Sequence, residues 1–187
     1  MKRMSKGLLA GAVLLGCAVP VGIGVMAATP VAKAARGELT GVNRLLAMEE
    51  MKNLRMTFCR SLDNHDWAAL RATMTDDHYL YFAHTKGPDG PDLRPAMETK
   101  SADEFVAFAR QLLRGQSIHI CTMPQFETVT ANHARALWFI NGYGAIGDQS
   151  GLGFERVVED YVKINGKWLI KKTDARVEAH GSFPETQ

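Results

Sequence analysis

The stretch Tyr161-Val162-Lys163-Ile164-Asn165-Gly166-Lys167-Trp168-Leu169-Ile170 reads as two strands joined by a two-residue turn. Asn-Gly between two β-rich runs is a strong type I′ hairpin signal, because both turn residues must take a positive φ. Working outward from this hairpin, β-branched and aromatic residues predict four strands: Ser117–Thr130, Ala134–Gly144, Gly153–Ile164 and Lys167–Glu178. Ala131-Asn132-His133 forms a tight turn between the first two, and Gly147–Gly151 (GDQSG) links the second to the third. The C-terminal half is therefore expected to be an antiparallel meander.

Before Gly115 the pattern is helical. A helix is expected from about Val42 to Asp63, with Val42, Leu45, Leu46, Glu49, Leu54, Phe58 and Leu62 roughly at helical spacing. Asn64-His65 ends it, and Asp66 can cap a short second helix carrying Trp67, Leu70 and Met74. Tyr79–Ala83 is a short aromatic strand, and Lys86–Pro95 is a surface loop by its Pro and Gly content. Ser101-Ala102-Asp103-Glu104 is a capping box opening a helix that buries Phe105, Phe108, Leu112 and Leu113. Helices followed by a run of strands predict an α+β fold.

The chain has 187 residues, 46% hydrophobic and 22% charged, with a formal net charge of +2. That composition is globular and of a size for about one domain. Residues 1–35 hold Lys2, Arg3, Lys6 and Lys33 and no acid. Without those four, 18 basic residues face 20 acidic ones, so the remainder is mildly acidic. A nucleic-acid partner is not expected. Met1–Lys6 is a positive n-region, and Leu8–Leu15 has the length of a signal-peptide apolar core. Export to the periplasm or beyond is expected, with cleavage after Ala27 or Ala34. Leu14-Leu15-Gly16-Cys17 resembles a lipobox, so a lipoprotein anchored through Cys17 is the alternative, and an uncleaved N-terminal anchor a third. Any membrane contact would run through this leader alone. The chain divides into a leader (1–35), a linker (36–41), a domain (42–180) and a tail (181–187).

The sequence contains no dinucleotide or phosphate-binding glycine motif, no nucleophile elbow and no H-E-x-x-H. No cofactor and no metal are expected. His65, His78, His84, His133 and His180 read as surface residues. His119 differs, lying within the strand Ser117-Ile118-His119-Ile120-Cys121 on the same face as Cys121. Asp63 differs too, as an acid ending an apolar helix one turn after Cys59. The residues alone allow two readings, a helix terminator and a core histidine, or a functional pair.

Three segments carry a resemblance. Met48–Leu70, with Arg60-Ser61-Leu62-Asp63-Asn64-His65-Asp66-Trp67-Ala68-Ala69-Leu70, resembles the first-helix signature of SnoaL-like proteins, in the nuclear transport factor 2-like superfamily. Ser117–Pro124 resembles that family's first long strand, and Gly166-Lys167-Trp168-Leu169-Ile170 its closing hairpin. The likeness spans roughly Leu45 to Val177. It implies a cone-shaped α+β barrel, a curved antiparallel sheet wrapped on N-terminal helices around an apolar cavity. The functional branch it resembles holds cofactor-free lyases: scytalone dehydratase, bile-acid dehydratase and hexachlorocyclohexane dehydrochlorinase. There a helix-end Asp holds a strand His that takes a proton from a ring carbon, and Asp63 and His119 match those positions. The chain departs from the family at three points. Phe58 stands where a Tyr is usual, Cys121-Thr122 where a second His often follows, and Trp138–Gly142 ends without an acid.

The resulting expectation is an exported lyase or isomerase acting on a small apolar cyclic molecule. His119 would be its base and Asp63 its orienting partner, within hydrogen-bond reach. Phe58, Cys59, Cys121, Trp138 and Tyr161 would line the pocket. Two alternatives use the same fold: a non-catalytic binding module, and an assembly role, since these folds commonly form homodimers through the sheet. Cys59 and Cys121 would each lie one step from an Asp63–His119 contact, and would converge only if the helix ran opposite to the strand. An oblique crossing is expected, leaving two separate pocket-facing thiols.

Overall fold

The structure is a computed structural model that describes residues 37–87, 90–122, 124–146 and 149–184. The expected leader, Cys17 included, lies outside these residues. In chain order the elements are α1 (Gly41–Asp63), α2 (Trp67–Arg71), β1 (Met74–His84), β2 (Met97–Thr99), α3 (Ala102–Leu112), β3 (Ser117–Cys121), β4 (Gln125–Val129), β5 (His133–Ile146), β6 (Gln149–Ile164) and β7 (Lys167–Pro184). The class is α+β, with helices packed on one curved, open sheet.

Local chemistry sets most boundaries. The Asp66 side chain accepts the Ala69 N–H at 3.0 Å and starts α2. Ser101 accepts the Glu104 N–H at 3.1 Å while the Glu104 carboxylate takes the Lys100 N–H, capping α3. Asn165 and Gly166 have φ of 50° and 79°, so the β6–β7 turn has the positive φ values expected of it. The buried face of α1 is Ala47, Met51, Arg55, Phe58, Cys59 and Leu62, a helical repeat. Val42, Leu45 and Leu46, expected on that face, are exposed because the sheet receives the Ala47–Met51–Arg55 row instead.

The strand order is β2-β1-β7-β6-β5-β3, with β4 pairing the other end of β5. The expected single strand Ser117–Thr130 is split in two. Pro124 has no N–H to offer the ladder, so β3 pairs Ile140–Gly144 and β4 pairs Ala134–Leu137. The sheet is also not wholly antiparallel. β1 runs parallel to β7, with Leu80 opposite Thr173 and Phe82 opposite Ala175. Such a pair needs a long crossover, and the intervening elements from β2 to β6 supply it. β6 and β7 reach beyond the expected ends, with Gln149 opposite Pro184, so residues 181–184 of the expected tail belong to β7. Register shifts at Phe154/Glu155 and Asp160/Tyr161 mark bulges that strengthen the local twist. The sheet therefore curls around the helices, and a space is left between α1, α3 and its inner face. Among the described residues no helix is long and apolar enough to cross a membrane.

Candidate functional site

That space is a cavity of about 620 Å³, within the usual range for small-molecule sites. Its walls are mainly apolar: Phe58 and Leu62 from α1, Leu80 and Phe82 from β1, Phe105 and Phe108 from α3, Ile140 and Val157 from the central strands. Polar residues also line it, Arg55, Arg94, Glu155 and Thr173 among them. His119 is another.

The alternation of β3 places Ser117, His119 and Cys121 inward while Ile118 and Ile120 point out. Asp63 is the last residue of α1, where Asn64 and a left-handed His65 (φ 56°) turn the chain away. The two side chains meet, with His119 Nδ1 2.6 Å from Asp63 Oδ1. The carboxylate also accepts the His119 backbone N–H at 2.9 Å and the Ser117 hydroxyl at 3.0 Å. Burial alone would raise the Asp63 carboxyl. The hydrogen bonds from the His119 ring and backbone, with the imidazole charge and Ser117, outweigh burial and hold it below its ordinary value. A carboxylate can only accept, so Nδ1–H donates to it, and in the neutral form of the ring the Nε2 lone pair is then left for the cavity. A Cβ added to Gly142, opposite His119 on β5, would lie 3.6 Å from Nε2. The absence of a side chain there keeps the approach to Nε2 open.

The remaining sequence candidates divide. Phe58 lines the cavity. Cys59 and Cys121 do not, because they are joined in a disulfide, contrary to the two free thiols expected. α1 runs opposite to β3, so the step from Asp63 back to Cys59 and the step from His119 on to Cys121 lead the same way. Trp138 and Tyr161 face inward but are 2% and 1% exposed, and neither reaches the cavity. They belong to a buried polar network instead. Trp138 Nε1 donates to the Tyr161 hydroxyl at 2.9 Å, and that hydroxyl donates to Glu159 Oε2. Glu159 Oε1 takes Arg55 Nη1 at 2.5 Å, and Arg55 itself borders the cavity. Burial pushes the Glu159 carboxyl upward against the pull of Arg55, and burial beside Glu159 pushes the Tyr161 phenol well above its usual value.

Two of the supposed surface histidines, His78 and His84, lie on the inner face of the sheet, while His180 is exposed at the edge of the cavity. His78 is fully buried with Nε2 3.1 Å from Thr173 Oγ1, and burial, aided by Arg55, lowers its pKa to about 4. His84 and His180 border the cavity, their ring centroids 5.6 Å apart. The missed signal was the period-two row His78-Leu80-Phe82-His84, whose strand is longer than its aromatic centre. A second missed row is Glu155-Val157-Glu159-Tyr161 on β6, which places two acids on the inner face. Arg55 was hidden in a helical repeat of apolar residues. No cluster of three or more metal-ligating side chains occurs among the described residues.

Several solved structures share this architecture. A hexachlorocyclohexane dehydrochlorinase, LinA type 2, aligns with a TM-score of 0.64 at 18% identity, over 79% of this chain and 96% of that one. LinA type 3 from Novosphingobium barchaimii gives 0.64 at 16% identity, over 79% and 97%. A protein from Novosphingobium aromaticivorans described as a putative scytalone dehydratase gives 0.59 at 14% identity, over 76% and 91%. At these identities the likeness is one of fold. No curated protein matches the sequence. The family model described as SnoaL-like domain matches residues 43–174, the span from α1 through most of β7, and the chain therefore belongs to the SnoaL-like family of the nuclear transport factor 2-like superfamily.

Proposed function

We propose that this protein is an exported, cofactor-free lyase in which His119 removes a proton from a carbon of an apolar cyclic substrate. The observation that carries this reading is the Asp63–His119 hydrogen bond of 2.6 Å at the wall of an apolar cavity. Asp63 fixes the imidazole with Nε2 as its free base and stabilises the imidazolium that forms on proton abstraction. The Phe and Leu side chains of the wall hold an apolar ring and exclude water, which strengthens the base for a carbon acid. The fold relatives described as dehydrochlorinases and as a scytalone dehydratase lend support from their own names. The Cys59–Cys121 disulfide supports export, since such bonds persist in oxidising compartments.

The test is elimination from a panel of cyclic β-substituted ketones, with and without His119→Ala. Turnover is expected to vanish in the variant while its fold, by circular dichroism, is kept. Unchanged turnover would end the lyase reading. Phe58 brings no hydroxyl to the cavity, which favours a second reading, a carrier of apolar ligands. Native mass spectrometry showing a retained apolar ligand, with no turnover across the panel, would select it.

A homodimer through the sheet is part of the same proposal. The outer face carries Ile118, Ile120, Phe139 and Phe154, 59%, 58%, 50% and 44% exposed, on the adjacent strands β3, β5 and β6. Light scattering on the wild type and on Ile120→Lys checks it. The wild type is expected at twice the monomer mass and the variant at the monomer mass.

A further inference from the structure

Glu155 and Glu159 sit four residues apart on the inner side of β6, yet their surroundings differ. Glu159 is engaged by Arg55, Tyr161 and Thr173. Glu155 makes no hydrogen bond or ion pair among the described residues, and its side chain borders the cavity. It lies across the cavity floor from His119. That floor is bare backbone, formed by Gly142 and Gly153 directly opposite one another on β5 and β6. A Cβ built on Gly142 would be 3.6 Å from His119 Nε2 and 3.9 Å from Glu155 Oε1. One built on Gly153 would be 3.7 Å from the same oxygen. An atom resting on this floor is within reach of an imidazole nitrogen on one side and a carboxyl oxygen on the other.

Resting on the lyase reading above, we propose that Glu155 is a catalytic acid which protonates a departing hydroxyl opposite His119, so that the substrate is a cyclic alcohol and the reaction a dehydration. The chemistry requires two groups of opposite protonation at one pH. A halide leaves as a stable anion with no proton, whereas hydroxide is a poor leaving group unless it departs as water. A cavity built only to expel halide needs the base alone. Burial raises the Glu155 carboxyl from its ordinary value, opposed by the charges of His119 and Arg55. The step needs a carboxylic acid facing an imidazole base, and the two side chains flank one floor, the arrangement that acid–base pairs in enzyme sites depend on.

The step balances without any co-reactant. His119 Nε2 takes the hydrogen of the ring C–H as a proton, and that bond's electron pair becomes the new C=C bond. The C–O bond breaks with its pair going to oxygen, which takes the Glu155 proton and leaves as water. The imidazolium then returns a proton to the Glu155 carboxylate through solvent, and both groups are reset.

Two measurements on the whole protein test this. The first is the infrared difference spectrum between wild type and Glu155→Gln at neutral pH. A carboxylic-acid C=O band assigned to Glu155 is expected, and a carboxylate band instead overturns the proposal whether or not a substrate is known. The second uses the β-hydroxy and β-chloro derivatives of cyclohexanone, which eliminate to the same enone. Glu155→Gln is expected to lose the hydroxy substrate roughly a hundredfold or more, and to lose far less with the chloro substrate, while His119→Ala loses both. Equal losses in Glu155→Gln, or none, overturn the acid role. Wild-type turnover of the chloro probe alone overturns it while leaving the lyase reading intact. Turnover of neither probe, with the hydroxy ketone bound, overturns both.

Discussion

Cys59 is bonded to Cys121 one helical turn before Asp63 and two strand positions beyond His119, so a covalent staple and a charge-assisted hydrogen bond tie α1 to β3 side by side. The helix end and the strand therefore cannot separate at the dyad without strain on the disulfide. Counting thiols on the unreduced, unfolded domain should give none from these two residues. The double substitution Cys59→Ser/Cys121→Ser should cost about 2–4 kcal/mol of stability, read from denaturant midpoints. An unchanged midpoint would show that the staple does not constrain the chain.

Asp63→Asn should move the imidazole proton. An amide NH₂ in place of one carboxylate oxygen competes with the Ser117 hydroxyl and the His119 N–H, both donors, and no longer selects the Nδ1–H form. Nitrogen NMR shifts of the His119 ring should report the change from an Nδ1–H to a mixed population. Turnover should fall by roughly a hundredfold or more. A variant that keeps the wild-type tautomer and rate would remove Asp63 from the proposed machinery.

Gly142→Ala is a steric probe of the cavity floor. The added methyl would meet His119 Cδ2 at 3.4 Å, an ordinary contact, so folding should be preserved. It would nonetheless stand between Nε2 and Glu155. The melting temperature is expected to stay near that of the wild type, while elimination and binding of cyclic ketones, followed by absorbance and calorimetry, weaken together. Wild-type binding in this variant would mean that ligands do not rest there.

Arg55→Met should be among the most damaging single changes. Arg55 and Glu159 are 5% and 0% exposed, and removing the guanidinium leaves a fully buried carboxyl without its cation. The expected loss is about 3–5 kcal/mol. The double variant Arg55→Met/Glu159→Gln should recover part of it, as a double-mutant cycle in chemical denaturation would show. No recovery would mean that packing on the Phe58 ring, 4.5 Å from the guanidinium, is the larger contribution.

His78 should make the fold acid-sensitive. Its pKa falls from 6.5 to about 4 in the folded protein, mainly through burial, so the unfolded chain takes up the proton first. Stability from this residue is complete above pH 6.5 and declines as the pH drops towards about 4, with no further loss below. The full effect is roughly 3–3.5 kcal/mol. Wild type minus His78→Gln, measured by denaturant titration at each pH, should show this slope. A flat difference would mean that His78 is protonated in place.

The sequence alone determined what depends on neighbours in the chain. The Asp66 cap, the Ser101 capping box, the Asn165-Gly166 turn and the shared face of His119 and Cys121 are all set within a few residues by hydrogen bonds, φ limits and the period of two. Asp63 stood out for the same reason, as an acid at a helix end. The tertiary structure decided everything that depends on how distant segments cross. The direction of α1 over β3 turned two expected thiols into a disulfide. The parallel seating of β1 on β7 carried His78 into the core beside Thr173. Trp138 and Tyr161 went beneath the Arg55–Glu159 pair rather than into the cavity, and Glu155 was left facing His119 across two glycines. A period of two says which residues share a face of a strand. It cannot say which of them meet a helix, which meet each other and which are left facing open space, because those outcomes come from packing between segments scores of residues apart.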